Sequence, residues 1–257
     1  MMIRKKILLT SAMAALLLSS CTHHYQLSSV ERTRILIDSR YDAHPDEGAA
    51  ELMKNYTGKV DSMMGPVVGK VARYMAADRP ESELSNLLPD ILMWASKAYS
   101  EQPDFAVYNI GGMRAALAKG DVTIGDIFEV APFENKICFL TLKGSDVTDL
   151  FRQIASRGGE GVSHGVELVI NQKKELLSAK LNGKDIDPEA DYRLVTIDYL
   201  SQGNDGMVAF KKHKDLKKPI EDKDNTRYII MEYFRQQQAQ GQVIDAVKEG
   251  RIVVSQY

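Results

Sequence analysis

The chain has 257 residues, 44% of them hydrophobic, which is enough apolar material for a full core. A formal net charge of −2 and a pI of about 6.2 exclude a basic groove for nucleic acid, because such binding runs largely on neutralising phosphates. Two cysteines, Cys21 and Cys138, exclude a disulfide framework.

The first segment pairs Arg4-Lys5-Lys6 with an apolar run from Ile7 to Leu18 that is too short to span a bilayer comfortably. This is the pattern of an export signal. The following Leu18-Ser19-Ser20-Cys21 resembles the bacterial lipobox, which implies cleavage before Cys21 and lipidation of its thiol. Residues 1–20 then read as a lipoprotein signal peptide and 21–257 as one domain. Thr22 stands where an Asp would favour inner-membrane retention, so the resemblance implies a cell-envelope protein held by its lipid, at the outer membrane.

Arg34 to Asp38 reads as a strand. Beyond Pro45, apolar residues recur at helical spacing from Leu52 through Tyr56, Val60 and Met63 to Val71 and Met75, predicting a long helix bent at Gly65-Pro66. A second helix, interrupted by Pro89, is expected over Glu81 to Tyr99. Later come shorter elements: strands at Asp104–Tyr108, Lys136–Leu142, Val166–Asn171, Leu177–Leu181, Tyr192–Ile197 and Arg251–Ser255, with helices at Ser145–Ser156, capped by Ser145, and Thr226–Gln238. Asn182-Gly183 is a hairpin signal. The lysine-rich run Lys211 to Lys218 reads as a solvated loop, and Cys138, inside Ile137-Cys138-Phe139-Leu140, as a small buried hydrophobe. Helices first and strands later suggest an α+β architecture with mixed sheets.

Candidate functional residues gather where predicted strands end. Tyr108-Asn109-Ile110-Gly111-Gly112-Met113-Arg114 holds an Asn and an Arg around a glycine pair, and glycines after a strand permit close approach by a ligand. Pro132-Phe133-Glu134-Asn135 precedes one strand, Ser163-His164-Gly165 another, and Asp198 to Gly206 follows a third. The ordered set N-x-G-G-x-R, P-F-x-N and G-x-D-G resembles the C-terminal domain of 5'-nucleotidases.

That resemblance implies a four-layer α/β/β/α fold and a nucleoside-binding cleft. In it, Phe133 and Tyr199 sandwich the base, Asn109 meets the base edge, Gly112 allows close approach, Arg114 reaches ribose and phosphate, and Asp205 accepts from the ribose hydroxyls. The family's chemistry lies on a dimetal phosphatase domain, and this sequence offers no counterpart: Asp42-Ala43-His44 mimics its first motif, yet no G-D-x-x-D, G-N-H or later His pair follows. No catalytic residue, metal or cofactor is therefore expected on this chain, and divalent metals are expected on a separate metallophosphatase partner. The family's further substrate Arg falls at Asp78, with Arg79 one residue along, and Asn204 replaces the second Gly of G-G-D-G. His164 reads as a loop histidine. Two other readings stay open: a stand-alone nucleoside-binding module of the envelope, and a structural relative that has lost its ligand.

Overall fold

The computed structural model describes residues 27–36 and 38–255. The segment expected to be an export signal and Cys21 lie outside them. The chain divides into two units, one ending at Leu52 and one running from Met53 to the C-terminus. In the first, residues 27–36 carry no regular structure, so the strand expected at 34–38 does not form over its described residues, and 39–44 are turns and bends that include Asp42 and His44. The Glu47–Met64 helix follows, and none of its residues is buried.

That helix stops earlier than the apolar spacing predicts. Pro66 cannot continue the helical hydrogen bonding, and Val67, Val68 and Val71 are β-branched residues that suit a pleated surface. The chain therefore forms β1 (Val67–Val71), paired antiparallel with β3 (Gly120–Thr123). Period alone cannot separate these outcomes, since three valines in five residues fit either.

The second predicted helix forms as Glu83–Ala95, extended by a tighter turn at Ser96–Tyr99. Ser82 caps it: its hydroxyl accepts the Ser85 N–H at 3.3 Å while Ser85 Oγ accepts the Ser82 N–H at 2.8 Å. Leu84, Leu87, Leu88, Ile91 and Leu92 are buried, and each such side chain contributes about 1.5–3 kcal/mol of apolar transfer. They lie against the five-stranded sheet and the Thr226–Ala239 helix.

The five-stranded sheet runs β10-β4-β9-β2-β5, with β2 at Phe105–Tyr108, β4 at Ile137–Lys143, β5 at Gly161–Val162, β9 at Asp191–Ile197 and β10 at Lys214–Lys217. Six consecutive residues of β4 are buried, as in a strand covered on both faces. Among them is Cys138, whose thiol burial pushes up to about 12, so it remains protonated and inert at neutral pH. The lysine-rich run expected to be loop supplies β10, an edge strand with every residue exposed. Lysines are common on such edges because their charge discourages pairing with another chain, and the lack of alternation hides the strand in the sequence.

The second mixed sheet runs β11-β6-β7-β8, with β6 at Val166–Ile170, β7 at Leu176–Leu181, β8 at Lys184–Asp185 and β11 at Ile252–Val254. Asn182 and Gly183, at φ +52° and +74°, make the tight turn between β7 and β8. The Gly144–Ser156 helix touches strands of both larger sheets, and its Phe151 ring lies 5.4 Å from Phe105 of β2. Ser145 does not cap it. The Gly144 and Ser145 N–H groups donate instead to the Ala190 and Pro188 carbonyls at 2.9 and 3.1 Å, so backbone from the 187–190 turn does the capping. The result is the α+β class with mixed sheets that the sequence suggests.

Candidate functional site

Sheet topology brings the site together. β2 and β9 are parallel neighbours, so the chain leaves both at the same end of the sheet: Asn109 follows β2, and the Asp198–Ser201 turn of helix carrying Tyr199 follows β9. β4 runs antiparallel to β9 with Ile137 opposite Ile197, which puts the preceding Phe133 and Asn135 at that end too. β5 runs antiparallel to β2 with Gly161 opposite Tyr108, which adds the segment Arg157 to Glu160. Segments far apart in sequence thus meet at the carboxyl ends of two parallel strands, a common place for ligand clefts.

The cleft there has a volume of about 230 Å³ and is lined by Asn109, Gly111, Gly112, Phe133, Asn135, Arg157, Tyr199 and Asp205. Five of the six cleft residues expected from the sequence are among them. Arg114 is not: its side chain is exposed, and its Nη1 makes only a 3.4 Å contact with the Gly111 carbonyl. Asn135 and Arg157 are additional. Asn135 belongs to the P-F-x-N element, whereas Arg157 had no signal beyond sitting at a helix end before Gly158-Gly159. His164 lies outside the cleft, exposed, with Nδ1 3.0 Å from Glu249 Oε2.

Asp205 organises the polar side. It sits in the left-handed region at φ +55°, which Asp tolerates better than most residues, within the tight turn Asn204–Gly206. Its Oδ2 accepts from Asn109 Nδ2 at 2.8 Å and its Oδ1 from the Tyr199 hydroxyl at 3.1 Å. The hydrogen bond to Asp205 raises the Tyr199 pKa, so the phenol stays a neutral donor. The same carboxylate fixes the Asn109 amide orientation, since a flipped amide would face its oxygen to a carboxylate. Asn109 Oδ1 is buried with no hydrogen-bond partner, an orphaned acceptor of the kind that costs about 1–3 kcal/mol. Phe133 and Tyr199 are 47% and 37% exposed and stack on no other ring among the described residues, so aromatic surface remains open.

Behind the cleft lies Glu160, whose side chain is fully buried. Its Oε1 accepts from Arg157 Nε and Arg79 Nη2, both at 2.5 Å, and its Oε2 accepts the Ile110 N–H at 2.6 Å. Arg157 reaches on to 3.6 Å from Asp205 Oδ2. Burial opposes the Arg157 charge, but its bond and charge interaction with Glu160 outweigh this and raise its pKa. Arg79 is thus engaged behind the cleft rather than in its lining, and the Asp78 N–H donates to Ser82 Oγ at 3.0 Å.

Among the described residues, no three His, Cys, Asp or Glu side chains converge on a position that could hold an ion. A groove of about 690 Å³ between the Glu83–Ala95 and Thr226–Ala239 helices is larger than the cleft but includes none of the cleft's residues.

A family model for the 5'-nucleotidase C-terminal domain matches residues 64–212, more than half of the chain. The chain is 28% identical over 165 residues to protein UshA of Yersinia enterocolitica, covering 63% of this chain and 30% of that protein. It is 30% identical over 164 residues to endonuclease YhcR of Bacillus subtilis, covering 61% of this chain and 13% of that one. The crystal structure of a 5'-nucleotidase precursor from Thermus thermophilus has the same fold, with a TM-score of 0.70 at 24% identity over 84% of this chain and 45% of that one. The chain therefore spans less than a third of the length of either relative and under half of that structure. With the family match reaching from the end of the first helix through the Asn204–Gly206 turn, the chain belongs to the 5'-nucleotidase C-terminal domain family.

Proposed function

We propose that this chain is the nucleoside- or nucleotide-recognising part of a 5'-nucleotidase-type phosphoester hydrolase, with hydrolysis supplied by a separate metallophosphatase chain that holds the divalent metals. The observation that carries the reading is one cleft in which two partly exposed aromatic rings accompany a buried amide and the Asp205 carboxylate. Stacking on a base is worth about 1–3 kcal/mol and tolerates different bases. The Asn109 amide is held in place by its 2.8 Å bond to Asp205, and Asp205 suits the hydroxyls of a ribose. In this reading Cys21 carries a lipid that holds the protein to the cell envelope, at the outer membrane.

The cation balance of the lining favours nucleoside recognition over phosphate recognition. Arg157 gives its Nε to Glu160 and faces Asp205 Oδ2 with Nη2 at 3.6 Å, and Arg114 stands outside the lining. Calorimetric titration of residues 22–257 without metal is expected to show saturable adenosine binding, with AMP no more than a few-fold tighter. Phosphate release from AMP with added divalent metal should stay at background. Hydrolysis by the pure chain would overturn the division of labour, and AMP binding tenfold or more above adenosine would overturn the nucleoside preference.

Gly112→Ala tests the Asn109 geometry. A Cβ there would lie 2.7 Å from Asn109 Oδ1, closer than such atoms approach, so the amide must turn and lose its 2.8 Å bond to Asp205. Adenosine affinity is expected to fall about tenfold by the same titration, equivalent to about 1.4 kcal/mol. Unchanged affinity would remove Asn109 from the recognition surface.

A further inference from the structure

The groove between the Glu83–Ala95 helix, its Ser96–Tyr99 extension and the Thr226–Ala239 helix has about 690 Å³, within the range of roughly 300–1,000 Å³ typical of small-molecule sites. Its walls are aromatic. Trp94 is held edge-on against Tyr233 with ring centroids 5.1 Å apart, Tyr228 is 42% exposed, and the Tyr99 hydroxyl is already bound to Asp224 Oδ1 at 2.9 Å. The ring of Tyr99 is thus fixed and its polar end satisfied, leaving apolar surface toward the groove.

Its charges are unspent. The Lys97 ammonium and Arg235 guanidinium have no hydrogen-bond or ion-pair partner among the described residues, and Glu232 is the acidic side chain in the lining. Unpaired cations beside fixed aromatic faces complement a ligand that carries a ring and an anionic group together: the ring packs on Trp94 and Tyr228, and the anion meets Lys97 and Arg235. We propose that this groove is a second binding site, for a planar aromatic anion such as an aromatic carboxylate, sulfonate or phosphate. It shares no residue with the Asn109 cleft and does not depend on the function proposed above.

Trp94 is the single tryptophan of the chain and lines this groove, so it serves as the donor for energy transfer, and the variants assign the site. The probes are 8-anilinonaphthalene-1-sulfonate and its uncharged relative N-phenyl-1-naphthylamine, titrated into the protein with transfer from Trp94 as the signal. The sulfonate is expected to saturate one site, and the Lys97→Gln/Arg235→Gln double variant to weaken it about tenfold while leaving the uncharged probe within twofold. Both substitutions are at exposed positions, so the fold should survive, and circular dichroism checks this. Phe133→Ala should leave sulfonate binding unchanged. Absence of saturable transfer, equal loss for both probes, or sulfonate binding indifferent to the double variant would overturn the proposal.

Discussion

Tyr199→Ala is expected to weaken adenosine binding to residues 22–257 by about 5- to 150-fold, the equivalent of the roughly 1–3 kcal/mol that one base–aromatic stack contributes. The residue is 37% exposed, so it contributes little to the core, and the melting temperature should hold within about 2 °C. Asp205 keeps its bond from Asn109 Nδ2 at 2.8 Å, so the carboxylate is not released when the phenol goes. Tyr199→Phe separates ring from hydroxyl: it retains the stack and loses only the 3.1 Å bond to Asp205 Oδ1, and a loss of a few-fold at most is expected. Phe133→Ala should resemble Tyr199→Ala. Should both alanine variants bind adenosine as the parent does by calorimetry, the rings are not the base platform and the ligand reading falls.

Glu160→Ala is expected to have the largest effect on stability. The carboxylate is wholly buried and serves three donors, so truncation leaves the Ile110 N–H and two guanidinium groups without their acceptor. Removing one partner of a buried ionic network costs about 3–5 kcal/mol because the remaining charge stays desolvated. Arg79 and Arg157 are about one-third exposed, so water recovers part of that cost and the lower end applies. At about 2–4 °C per kcal/mol for a domain of this size, a fall in melting temperature of roughly 6–12 °C should appear in thermal unfolding followed by circular dichroism. Glu160→Gln keeps an acceptor for Ile110 and should cost less. A fall below about 2 °C for the alanine variant would show that the network does not secure the turn at Asn109 to Gly112. Adenosine affinity should fall with it, since the Ile110 N–H bond ties that turn to Glu160.

The elements readable in the sequence were those whose signal is local. The unbroken run of β4, the Asn182-Gly183 turn and the apolar face of Glu83–Ala95 each carry it in a few adjacent residues. Arg157 and Glu160 carry no such local signal: Arg157 follows the last turn of a helix and Glu160 lies beyond Gly158-Gly159. Arg79 and Ile110, distant in sequence, make them the buried support of the cleft.

By itself the sequence determined the family motifs, the α+β class and five of the eight residues that line the cleft, because motif order and hydrophobic pattern are properties of the chain read along its length. Tertiary structure alone decided that Val67–Val71 is a strand, since its partner Gly120–Thr123 lies about fifty residues away and pairing outweighs local period. It also decided that Arg157 enters the lining while Arg114 stays outside, because the direction of a side chain at a turn depends on the segments packed beside it. The parallel pairing of β2 with β9 brings those segments to one end of the sheet, and no local stretch of sequence specifies that pairing.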